Sequence, residues 1–185
     1  MTGQVAGRQN GEVATWAQFE ADAPDLVSFV ERLWPGVLAL NRNENPPKGS
    51  PCFSVSYLAT VRPDGSPRLH PFCPILAGGR LFAAIPRSSP KGWDLRRDPR
   101  CVIHALPGHE DDELCIRAMA RDVTDEAATR ELVGRVVAKS LVGGMIETAS
   151  DDPLFEFDLE QIDIARWLDI GQPGTRAVRQ QWRAS

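Results

Sequence analysis

The 185 residues contain no apolar run approaching the roughly 20 that a membrane-crossing helix needs. The opening MTGQVAGRQNGEVATW also lacks the charged-then-apolar order of a secretory signal. A cytoplasmic protein without a membrane partner is the expectation. Only four cysteines occur (Cys52, Cys73, Cys101 and Cys115), with no C-x-x-C pair, which argues against a zinc knuckle and a dithiol redox motif and leaves buried free thiols. Lysine is scarce: Lys48, Lys91 and Lys139 are the only ones, so arginine supplies nearly all of the 21 basic residues, a bias that suggests a GC-rich coding sequence. The net charge of -4 lacks the basic excess that nucleic-acid binding demands. No G-x-G-x-x-G turn, Walker loop or internal repeat is found, which disfavours the ordinary nucleotide-binding architectures.

Length and a hydrophobic content of 42% suit one domain with its own core. Residues 1–14, polar and glycine-rich, read as a mobile segment, and 15–185 as a single domain that begins with a helix. Leu26, Phe29, Val30, Leu33 and Trp34 recur at helical spacing and predict a helix from Trp16 to Leu40. Pro46-Pro47 and Lys48-Gly49-Ser50 make Asn41–Pro51 a loop. Strands are expected at 53–62, 68–76, 80–85, 101–106, 113–123, 154–159 and 162–170. Helices are expected at 90–97 and from Thr124 to about Ser140, with an irregular tail beyond Gly171. Many short antiparallel strands with a few helices predict a mainly β (α+β) barrel or sandwich carrying peripheral helices. The strands do not alternate regularly with helices, so a parallel doubly wound sheet is not expected.

The segment from Leu58 to Pro99 carries the functional signal. Arg62-Pro63-Asp64-Gly65 is a tight-turn signature, and Gly78-Gly79 marks a second turn. A two-residue loop at Gly78-Gly79 pairs Ala77 with Arg80. Continued outward, that register sets His70 opposite Arg87 and Arg68 opposite Ser89. The next helix starts Ser89-Pro90-Lys91: serine is a preferred N-cap, proline at the first position loses only an orphan N–H, and the free N–H groups face any bound anion. With Arg68, Arg87 and Lys91 around them, these donors suit a phosphate monoester, although capped helices flanked by arginine also occur with no ligand at all.

The run LATVRPDGSPRLHPF, the strand GRLFAAIP, and S-S-P-K ahead of a helix ending L-R-R-D-P occur in an order that resembles the pyridoxamine 5'-phosphate oxidase-like proteins, the flavin-binding split-barrel superfamily. The resemblance covers roughly Phe53 to Val123 and extends more faintly to Trp167. It implies a six-stranded antiparallel Greek-key split β-barrel with peripheral helices, and a homodimer with FMN or a deazaflavin in clefts between subunits. Position by position, it implies that Arg68 and Lys91 grip the flavin phosphate and that the Ser88-Ser89 turn adds hydroxyl and amide donors. Leu69, His70 and Pro71 match the strand along the isoalloxazine ring, Ile85-Pro86 its neighbour, and Arg166-Trp167 an element reaching the cofactor across the dimer. Trp93, one turn into the helix, either packs or touches a ligand.

The departures narrow the activity. The C-terminal Arg-x-His element of true pyridoxamine phosphate oxidases has no counterpart, so vitamin oxidation is not expected. Arg117–Ala120 stands where many relatives place a glycine. His109, Glu110, Asp111 and Asp112 are adjacent on one loop and do not converge on an ion, so no metal is expected. The expectation is an FMN-dependent oxidoreductase of an unidentified small molecule. The alternatives are a deazaflavin-dependent reductase and a non-catalytic cofactor- or haem-binding protein. His70 is the catalytic candidate, able to donate a proton or hydrogen bond, or else simply to pack.

Overall fold

The computed structural model describes residues 14–45, 54–105, 111–140 and 151–185. The N-terminal stretch forms three helices rather than one: α1 (Trp16–Asp22), α2 (Pro24–Leu33) and α3 (Pro35–Asn41). Pro24 and Pro35 each occupy the first turn of a new helix. A proline inside a continuous helix would remove a hydrogen bond and clash with the preceding turn, so the apolar periodicity runs on while the axis breaks. Residues 1–13 of the expected mobile segment lie outside the described residues. Ala14 is anchored: it is buried, its N–H donates to Asp158 Oδ1 at 2.7 Å, and its carbonyl accepts from Leu159 N at 2.9 Å.

The body is one antiparallel sheet of eight strands, two more than the six expected: β1 (Ser56–Val61), β2 (Pro67–Phe72), β3 (Ile75–Ala77), β4 (Arg80–Ala84), β5 (Arg100–Ala105), β6 (Glu113–Asp122), β7 (Leu154–Leu168) and β8 (Arg176–Arg183). Helix α4 (Pro90–Arg97) joins β4 to β5, and α5 (Ala127–Ser140) follows β6. The strand order is β2-β1-β5-β6-β7-β4-β3, with β8 added on β7. Strands β2 and β3 thus stand at opposite ends of the hydrogen-bonded path, yet only Cys73 and Pro74 separate them in the chain. Three Cα steps of 3.8 Å bring the two ends within about 11 Å, so the chain closes the barrel where hydrogen bonding does not. The architecture is mainly β, with the split-barrel character that the resemblance implies.

This split corrects one register expectation. Ala77 does pair with Arg80, but the pairing ends at Ile75, opposite Phe82. The Cys73-Pro74 break, where proline offers no N–H, releases the preceding strand to pair with β1 instead. Arg68 therefore lies opposite Thr60 and His70 opposite Leu58, not opposite Ser89 and Arg87. The same break leaves Cys73 exposed, against the expectation of a buried thiol; Cys101 is buried, and burial pushes its pKa up to about 12.

Two more corrections lie at the C-terminal end. The expected pair 154–159 and 162–170 is one strand, β7, with a bulge: Arg117 pairs with Gln161 and Ala118 with Leu159, leaving Glu160 unopposed. The extra residue reverses the inside-outside alternation, which reads in sequence as a break. Beyond Gly171 the chain is a strand rather than irregular. Arg- and Gln-rich β8 has little strand propensity, but its Trp182 is buried, donates from Nε1 to Asp22 Oδ2 at 3.1 Å and packs edge-on to Phe19, so tertiary contact overrides composition. No helix among the described residues is long and apolar enough to cross a membrane.

Candidate functional site

Alternation along β2 divides the residues expected around the ligand. Arg68 and His70 share the face of Thr60 and Leu58, turned toward α4, whereas Leu69, 61% exposed, and Pro71 lie on the outer face. Helix α4 begins as the sequence predicts. Ser89 is its N-cap in an extended conformation, but no side chain caps the helix, so the Ser89 hydroxyl is uncommitted there. Pro90 has no N–H and Gly92 N donates to Ser89 O at 3.0 Å, which leaves the Lys91 N–H as the donor without a side-chain acceptor at this end.

Two cations bridge β2 and α4, each to its own partner. Lys91 Nζ donates to the Pro71 carbonyl at 2.8 Å, and burial lowers its pKa. Arg68 Nε donates to Asp94 Oδ2 at 2.6 Å; its Nη1 and Nη2 donate to no described residue. Asp94 is buried, 2% exposed, and also accepts from Thr60 Oγ1 at 3.0 Å and Arg97 Nη1 at 3.3 Å. Cross-strand partners Thr60 and Arg68 thus converge on one oxygen. Burial works against the Asp94 anion, but the hydrogen bonds from Arg68, Thr60 and Arg97 outweigh it and the pKa falls below its ordinary value. His70 is half-buried, and its pKa is lowered first by burial and then by Lys91, Arg68 and Arg62. The imidazole is thereby kept neutral among cations.

The remaining predicted residues are distributed around this cluster. Ser88 and Arg87 are exposed on the turn before α4, which Ser89 N closes onto Pro86 O at 2.8 Å. Ile85 is fully buried beneath α4, where a Cβ on Gly92 would stand 3.3 Å from its Cγ2. Trp93 is 56% exposed and does not pack into the core. Trp167 does not join the cluster within one chain: the β7 residue in the row of His70, four strands from β2, is Ile162, and Trp167 lies five residues further along β7. Of the acidic loop, His109 and Glu110 lie outside the described residues, and buried Asp112 pairs with Arg32 at 3.0 Å.

The donor types suit a phosphoryl group: guanidinium N–H groups on Arg68, an ammonium on Lys91, a backbone N–H and the Ser89 hydroxyl are contributed by the first two turns of α4 and the strand tied to them. The residue that the sequence reading missed is Asp94. Its place three residues beyond Lys91 sets it on a neighbouring face of the same helix, the one signal available.

No protein-family model matches the chain, and no curated protein matches it. Solved structures do. ChuZ from Campylobacter jejuni superimposes with a TM-score of 0.55 at 13% identity over 68% of this chain and 54% of that one, so the chain spans about half of ChuZ. A nimc/nima family protein from Clostridium acetobutylicum gives 0.50 at 13% identity, covering 86% of this chain and 94% of its own. A candidate pyridoxamine 5'-phosphate oxidase from Listeria innocua gives 0.49 at 19% identity over 70% and 95% of the two chains. The likeness is one of fold.

Proposed function

We propose that this chain is a flavin-binding oxidoreductase acting on a small molecule, with FMN held by its phosphate at Arg68, Ser89 and Lys91. One observation carries the reading: Arg68 is tethered at Nε by a buried carboxylate of α4 while both Nη groups stay free of described partners, and Lys91 links the first turn of the same helix, which has no side-chain cap, to the same strand. The order of motifs from Leu58 to Pro99 supports it independently. A bound flavin supplies the hydride or electron chemistry. The chain's own residues bind the phosphate, and neutral His70, two residues from Arg68 on the same strand face, offers a hydrogen bond to whatever lies along β2.

The proposal extends to a homodimer. Its support is the outer face of β2, β1 and β5, where Leu69, Tyr57 and Val55 are 61%, 40% and 40% exposed and adjoin a groove of about 380 Å³ lined by Ala59, Val61, Pro67, Val102, Arg117 and Glu160 among others. An apolar surface of this kind marks an interaction site.

The absorbance spectrum of the purified protein tests the cofactor directly: a flavin band is expected, while a deazaflavin or Soret band would assign one of the alternatives. Titration with FMN tests the anchor. Replacing both Arg68 and Lys91 with alanine removes two charge-assisted phosphate contacts, worth about 1.5–3 kcal/mol each, so FMN affinity should fall by at least about 100-fold. An unchanged affinity in a folded double mutant would refute the anchor.

A further inference from the structure

Arg68 and Arg97 approach Asp94 from different elements, β2 and the last turn of α4, and both donate to it. Two guanidinium groups that meet at one point repel unless an anion lies between them, and here the anion is buried and tied to the barrel wall through Thr60. Arg97 is fixed a second time, by a hydrogen bond from Nη2 to the Val61 carbonyl. Arg68 has no second tether among the described residues, so Asp94 alone determines where its guanidinium stands.

We propose that Asp94 is the positioning residue of the anion site, setting the Arg68 fork in its phosphate-binding orientation before ligand arrives; the inference rests on the phosphate reading above. Engaging Nε fixes the plane of the guanidinium and leaves the Nη1–Nη2 edge for a bidentate contact. The ordering entropy of a long side chain is then met during folding rather than binding. Asp94 touches no ligand in this scheme and acts through Arg68.

The sign of one substitution separates positioning from simple electrostatics. Asp94→Asn removes a negative charge beside an anion site. If Asp94 were a bystander, FMN would bind more tightly. If it positions Arg68, binding weakens, by about tenfold for the loss of one well-oriented charge-assisted contact. FMN dissociation constants would be measured by fluorescence for wild type, Asp94→Asn, Arg68→Ala and the double variant, with circular dichroism confirming the fold. Weaker binding in Asp94→Asn that disappears in the Arg68→Ala background is the expected result. Tighter or unchanged binding overturns the proposal, and so does a loss that persists without Arg68. Thr60→Val, which deletes one hydrogen bond to Asp94 and keeps the shape, should weaken FMN in the same direction by about threefold, and it decides between positioning and bystander if Asp94→Asn does not fold. Failure of the phosphate reading is recognisable separately, because wild type and Arg68→Ala would then bind FMN equally poorly.

Discussion

Gly79 shows how closely single atoms are constrained in this barrel. Its φ is +71°, and an added Cβ would lie 2.7 Å from the Ala17 Cβ, because the Gly78-Gly79 turn is pressed against α1 and bonded to it from Ala17 N at 2.9 Å. Gly65, at φ +83° in the β1–β2 turn, has no atom within 4 Å of the same position. Both glycines carry the left-handed strain that alanine would incur, about 1–2 kcal/mol, but only Gly79 adds overpacking of a similar size. Gly79→Ala should therefore destabilise by about 3 kcal/mol and Gly65→Ala by about 1 kcal/mol in urea unfolding. Equal losses would show that the α1 contact contributes nothing. Turn glycines of both kinds were legible in the sequence as turn signals. The clash with Ala17 was not, since it depends on a helix 62 residues away docking onto the turn. Asp94 was hidden for the same reason: helical spacing gives its direction, but only the β1–β2 register brings Thr60 and Arg68 to it.

At the scale of elements, α4 is bound to its surroundings by carboxylates whose pKa values are depressed. Burial opposes the Asp94 anion, but Arg68, Thr60 and Arg97 overcome it. Burial likewise opposes Asp122, which is lowered by Thr124 and by Arg96 of α4. Asp98, just past the helix, falls to about 2 through hydrogen bonds from Arg100. A carboxylate with a folded pKa below the ordinary 3.8 contributes stability that is present above 3.8 and lost as pH falls through the folded value. His70 has the opposite charge logic: its lowered pKa means that the unfolded chain takes up a proton first, so stability also declines as pH drops below 6.5. Urea midpoints should be flat from pH 8 to 7, drop slightly toward pH 5 and fall steeply between pH 4 and 2. A midpoint that rises with acid would contradict these assignments. The element boundaries repeat the lesson of the residues. Helix α4 was legible to the residue because its start and stop are local chemistry, Ser-Pro at one end and Asp-Pro at the other. Strands β2 and β3 read as one, and β7 as two, because a proline break and a bulge look alike in a hydrophobic pattern while doing opposite things to the pairing.

For the whole molecule, the question is what covers the outer face of the barrel. Leu69 and Tyr57 lie there with Ala59, Val61 and Val102, in register across three strands, while the inner residues of the same strands, Leu58, Thr60 and Ile103, are at most 2% exposed. Over β2, β1 and the middle of β5 the sheet thus carries apolar residues on both faces but has only one core. Antiparallel sheets normally solvate one face with polar side chains, so an apolar second face calls for a partner. The proposed homodimer relates this face to the proposed anion site: Pro71 lies on the outer face while its carbonyl accepts from Lys91, so the proposed interface and the proposed phosphate anchor would share one strand. Light scattering should give a mass near twice 20.4 kDa. Leu69→Asp places a charge at the most exposed large apolar side chain of that face. Because Leu69 contributes little to the core of its own chain, the variant should stay folded, scatter as a monomer and lose FMN affinity along with the dimer. A wild-type monomer would sever the link between the outer face and the site. A dimer that survives Leu69→Asp would move the interface elsewhere, and undiminished FMN binding by the monomeric variant would confine the whole anchor to one chain.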